Sequence, residues 1–158
     1  MSHVFKRQKL GLFARMGGPF NRSFFIAEIY GDELNPDEVS SILGVSPTKC
    51  YRKGDETPRG SQYRRTGAWF MDSGEQLLSE EEPGANLFEQ WVSSLPKDRE
   101  AWDTLKERFD VRIRLVGYTD QMNAEFLLTP TAAAELASRG LAVVFDPYLS
   151  LDDDELED

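Results

Sequence analysis

The chain has 158 residues, with 28 acidic against 18 basic side chains and a formal net charge of −10. That charge argues against non-specific binding of nucleic acid by the whole surface, because phosphate contacts need clustered Lys and Arg. A chain of this length buries roughly 68–70% of its unfolded surface, so neither a disulfide nor a metal is needed to fold it.

The first 22 residues open "MSHVFKRQKLGLFARM" and read as a basic N-terminal arm without regular structure. Their apolar residues are scattered, not gathered into the run of about 7–15 that a secretory signal requires. No later stretch approaches the roughly 20 apolar residues of a membrane span. The lone cysteine, Cys50, makes an intrachain disulfide impossible, which fits a reducing cytoplasm. It reads as a small buried hydrophobe. The lone histidine, His3, lies in the arm. The rest of the chain therefore has no imidazole for a Ser-His-Asp or Cys-His mechanism, and no Cys/His set for zinc.

A single domain is expected over residues 23–150. "SFFIAEIYG" is a buried strand. In "LNPDEVSSILG", Asn35 is an N-cap, Pro36 occupies the first helical position and Glu38 follows three residues after the cap. Gly44 is the stop of that helix. "TKCYRKG" and "TGAWFMDS" are strands, and the connection between them is long for a hairpin loop. Where Trp69 and Phe70 sit side by side on an alternating strand, one of them must turn away from the core. "NLFEQWVSSL" is a helix with Asn86 as cap and Glu89 closing the box. "DREAWDTLKERF" is another helix, with Trp102 on its apolar face.

"VRIRLVGYT" alternates, so Arg112 and Arg114 share one face with Tyr118, either for cross-strand ion pairs or for a ligand. "AEFLLT" alternates as well, after a turn at "DQMN". "TPTAAAELASRG" repeats the cap, proline and glycine grammar of the first helix, and "LAVVFDPY" is a last buried strand. Asp146 and Tyr148 at its end are a weak acid–base pairing with no second carboxylate placed beside them. Residues 151–158, "LDDDELED", form an acidic tail expected to be disordered. The repeated strand–helix–strand grammar fits a duplicated ferredoxin-like β-α-β arrangement, and it fits independent use of a common helix cap. The fold class is α+β: about six strands and about four helices, with the helices on one sheet face.

The ordered set Leu34-x-Pro36, short helix, Leu43-Gly44, Pro47-Thr48, Lys53-Gly54-Asp55, Trp69, Ser73, then Asp146 and Tyr148, resembles a bacterial family of unknown function, the one numbered 4279. The resemblance spans roughly Phe24 to Tyr148. It implies a compact α+β domain and brings no catalytic residues with it.

The segment "YRKGDETPRGSQYRRTGAW" concentrates positive charge on an acidic chain. Lys53, Arg59, Arg64 and Arg65, with Trp69 as a wall, would hold a small anion such as phosphate or a nucleotide. The same residues would contact a protein partner, or would stand in solvent paired with Glu80, Glu81 and Glu82. No catalytic set, metal set or cofactor motif is present. The sequence therefore points to a non-enzymatic cytoplasmic interaction domain, immunity- or antitoxin-like in its concrete form. Small-anion binding is the alternative.

Overall fold

The computed structural model describes residues 18–150. The elements in chain order are β1 (Gly18–Pro19), β2 (Arg22–Gly31), α1 (Pro36–Leu43), β3 (Lys49–Tyr51), β4 (Gly67–Asp72) and β5 (Gln76–Leu77). They continue with α2 (Ala85–Ser94), α3 (Arg99–Lys106), β6 (Asp110–Thr119), β7 (Ala124–Glu125), α4 (Pro130–Arg139) and β8 (Val143–Leu149). The arm's residues before Gly18, with His3, and the acidic tail lie outside the described residues. Gly18 to Arg22, read as part of the arm, form β1 and the start of β2.

The main sheet has six strands in the order β3-β4-β2-β6-β8, with β5 also pairing to β2, and β1 with β7 makes a separate two-stranded sheet. The path β2-α1-β3-β4-α2-α3-β6 gives the sheet order of a ferredoxin-like unit, antiparallel throughout. α4 then returns the chain so that β8 lies parallel to β6. The two β-α-β units that echo in sequence thus differ in space. The first has β4 inserted between its strands; the second, β7-α4-β8, has its strands in different sheets, β7 pairing with β1 and β8 with β6.

Local chemistry explains most helix ends. The side chain of Asn35 accepts from the Asp37 amide, Pro36 opens α1, and Gly44 closes it at φ 69°. Thr129 caps α4 by accepting from the Ala132 amide, and Asp98 caps α3 through Glu100. α2 departs from expectation. It starts after Gly84 with no side-chain cap, so Asn86 lies inside the helix. Glu89 accepts instead from the Thr129 hydroxyl at 2.5 Å, tying α2 to the start of α4. Glu38 likewise closes no capping box; its carboxylate binds Arg108.

Register fixes the two faces. Directly opposed residues share a face, so Phe25, Ala27 and Ile29 of β2 lie with Trp69 of β4 and with Ile113 and Leu115 of β6. Val39, Phe88, Val92, Trp102, Leu105 and Leu136 from the four helices join them in one buried cluster. Full burial of each such side chain is worth about 1.5–3 kcal/mol. Trp91 packs against this cluster without being fully buried.

Two expected strands come out differently. β7 is only two residues long and pairs parallel with β1, making no hairpin with β6. β8 is an exposed edge, with Phe145 and Leu149 about half in solvent. The amide of Ile113 donates to Ala142, and that of Ser150 donates to Thr119. In a parallel ladder these two bonds send the even-numbered residues of β8 inward and the amides of Val143, Phe145 and Leu149 outward. Pro147 falls on the outward row, where its missing N–H interrupts an edge that another strand would otherwise join. Cys50 is exposed on the opposite edge strand, β3, and is no core residue.

Candidate functional site

The sheet face away from the helices carries the even-numbered residues of β2, β6 and β8. At its centre Glu28 is only 4% exposed. Its two carboxylate oxygens accept from Arg112 Nε at 3.1 Å and Arg114 Nε at 2.8 Å. Arg114 also donates to Asp146 Oδ2 at 2.8 Å, and the Tyr148 hydroxyl donates to that same oxygen at 3.1 Å. The hydrogen bond to Glu28 raises the pKa of Arg114 above its ordinary value. The bond to Asp146 raises that of Tyr148. A buried carboxylate without such partners would be strongly destabilising. The line Arg112–Glu28–Arg114–Asp146 is therefore a charge-compensated unit spanning three strands.

Aromatic rings flank this unit on both sides. Tyr30 and Tyr51 pack around Phe70, with ring centroids 5.5 and 5.9 Å from it. At the other end Tyr118 stacks on Tyr148 at 5.3 Å and meets Phe24 edge-on at 6.2 Å. The Arg22 guanidinium lies 4.1 Å from the Tyr118 ring centroid. Burial, reinforced by the charge of Glu28, pushes the Tyr30 hydroxyl up to about 12.

The basic segment between β3 and β4 is ordered as a prolongation of their hairpin. Gly54 donates to the Arg64 carbonyl, Arg64 to Asp55 and Thr57 to Gln62, each at 2.8 Å. Gly60 turns the tip at φ 69°. Lys53 is held by Asp32 at 2.5 Å, and Arg52 by Asp37 at 2.8 Å. The Arg64 guanidinium covers the Tyr51 ring at 4.0 Å. A groove of about 500 Å³ opens beside it, lined by Tyr51, Thr57, Gln62, Tyr63, Arg64 and Arg65.

Of the residues singled out from sequence, Arg64 and Arg65 meet at this groove. Lys53 is tied to Asp32 outside it, and Arg59 does not line it. Trp69 lies on the opposite face at 0% exposure, its indole N–H donating to Ser40 Oγ at 3.0 Å. Its neighbour Phe70 is the one turned outward. Among the described residues no ion pair joins the hairpin arginines to Glu80, Glu81 or Glu82. There is also no group of three or more His, Cys, Asp or Glu able to hold a metal. No helix among them is long and apolar enough to cross a membrane. Sequence reasoning placed Arg112, Arg114 and Tyr118 on one face but missed Glu28. The available signal was a carboxylate in the middle of the apolar run "FFIAEIY".

Fold and site together define an α+β domain with a ferredoxin-like core, one added β-α-β unit and one sheet face free of helices. Over residues 25–150 the chain matches the family described as a domain of unknown function, DUF4279, and it belongs to that family. Searches of the curated proteins and of the solved structures give no match.

Proposed function

We propose that this is a non-enzymatic cytoplasmic interaction domain that receives a protein partner on its helix-free sheet face, in the manner of an immunity protein or an antitoxin. The observation that carries the reading is the pair of aromatic groups on either side of the Glu28–Arg114 unit, on a face that no helix covers. Tyr and Arg anchors set on a rigid, internally neutralised surface are the residue types that dominate binding energy in protein interfaces. A net charge of −10 favours a basic partner and fast, salt-sensitive association.

The test is a tagged pull-down from the native host at low salt, followed by reconstitution from purified components. Wild type runs beside Phe70→Ala/Tyr148→Ala and Arg59→Glu/Arg64→Glu/Arg65→Glu variants. A stoichiometric complex that the aromatic variant loses, and that weakens steeply with salt, supports the reading. A complex lost only in the arginine variant moves the contact to the hairpin. Absence of any stoichiometric complex overturns the interaction reading.

Small-anion binding is the second reading, favoured by the arginines at the hairpin groove. On that reading phosphate or nucleotide raises the melting temperature and Arg64→Ala removes the effect.

A further inference from the structure

We infer that the hairpin groove binds a phosphomonoester carried on a planar ring, with a nucleoside monophosphate as its simplest form. The inference rests on the small-anion reading and specifies the ligand. It starts from a division among the arginines. Arg22, Arg52, Arg99, Arg108, Arg112, Arg114 and Arg139 each have a carboxylate within 4 Å. The arginines without one among the described residues are Arg59, Arg64 and Arg65, all on the hairpin. In a chain with ten more acids than bases (28 against 18), missing carboxylates are a local choice and not a shortage.

Two of the three line the groove. The Arg64 guanidinium lies 4.0 Å from the Tyr51 ring centroid and has no carboxylate within 4 Å among the described residues, so its N–H donors suit a two-bond grip on a phosphate.

The ring follows from Tyr63. It lines the same groove, is 70% exposed, and has no ring or cation packed on it among the described residues, unlike every other described tyrosine. A bare aromatic face beside two uncompensated guanidinium groups suits a planar ring joined to an anion. The volume of about 500 Å³ falls within the range of roughly 300–1,000 Å³ for small-molecule sites.

The experiment uses the full chain in calorimetry and thermal denaturation with adenosine monophosphate, uridine monophosphate, inorganic phosphate and adenosine. The monophosphates are expected to bind at least about tenfold more tightly than either phosphate or adenosine alone. Arg64→Ala weakens monophosphate binding by about tenfold. Tyr63→Leu weakens the monophosphates and leaves phosphate binding unchanged. Tyr63 is exposed, so the unliganded melting temperature of that variant should stay at the wild-type value. Phosphate binding as tight as the nucleotides, indifferent to Tyr63→Leu, overturns the ring assignment and preserves the anion reading. No response to any probe, or one that Arg64→Ala leaves intact, overturns both.

Discussion

The two faces of the main sheet are built by the same strands, one residue out of phase. On one side Phe25, Ala27, Ile29, Trp69, Ile113 and Leu115 lie under four helices. On the other side Glu28, Arg112, Arg114 and Asp146 lie under none, yet Glu28 is as buried as many core residues. The long side chains of neighbouring strands close over the centre of the bare face. A sheet of this width therefore has two interiors, one apolar and packed by helices, one polar and closed by its own side chains. The first is held by non-directional burial with one hydrogen-bonded arginine at the helix ends, Arg139, the second by a hydrogen-bonded charge line, and each should respond to mutation in its own way.

The largest effect is expected under the helices, at Arg139. It is 1% exposed and donates to the carbonyls of Leu95, Pro96 and Glu135 and to the Glu135 carboxylate, joining the end of α2 to α4. Arg139→Ala strands those acceptors in the interior and should cost about 3–5 kcal/mol in urea unfolding. Glu28→Ala should cost less, about 1–3 kcal/mol, because the abandoned Arg112 and Arg114 side chains keep 32% and 22% exposure and can be hydrated. A Glu28→Ala cost equal to or above that of Arg139→Ala would break the comparison. Smaller still is Tyr148→Ala, about 0.5 kcal/mol or less in stability, since the ring is half in solvent at the sheet edge. Its effect should fall on partner affinity.

The helix-covered face was the more legible of the two in the sequence. α1 and α4 announce themselves through Asn35-Pro36, Thr129-Pro130 and their closing glycines, because caps are local chemistry. α2 was misplaced at its start because Gly84 supplies a backbone conformation and no side-chain cap, so Asn86 looked like the better signal. The edge position of β8 was not legible, since an apolar run reads alike in the middle and at the rim of a sheet. Pro147 was the clue to the rim. The bare face was half legible. Arg112 and Arg114 fell on one side by alternation alone, but their partner Glu28 lies on a strand more than eighty residues earlier, a pairing set by β2–β6 register. At the hairpin, charge composition pointed to the right segment. Which of its basic side chains are drawn away depended on the ion pairs of Asp32 with Lys53 and Asp37 with Arg52, and these are long-range.

The smallest expected effect is spectroscopic and tests whether the bare face has an interior at all. Tyr30 is held at about 12, first by burial and then by the Glu28 charge, against 10 for an ordinary tyrosine. The folded protein keeps this proton between pH 10 and 12 while the unfolded chain gives it up, so the contribution to stability is complete below pH 10 and lost as pH rises toward 12. The carboxylates of Glu38 and Asp32 act at the other end. Hydrogen bonds from Arg108 and Lys53 lower their pKa values, so their contributions are present above the ordinary carboxylate range and lost on acidification. Tyrosinate absorbance recorded through alkaline pH should therefore show a late step. Tyr148 is raised as well by its hydrogen bond to Asp146, so the titration is run in a Tyr148→Phe background. There Tyr30→Phe should abolish the late step, and Glu28→Gln should move it to lower pH without abolishing it. In that background, the lack of any late step that Tyr30→Phe removes would mean that the bare face is wet at its centre. Glu28 would then be held by exposed ion pairs worth little, and the polar interior inferred for this face would not exist.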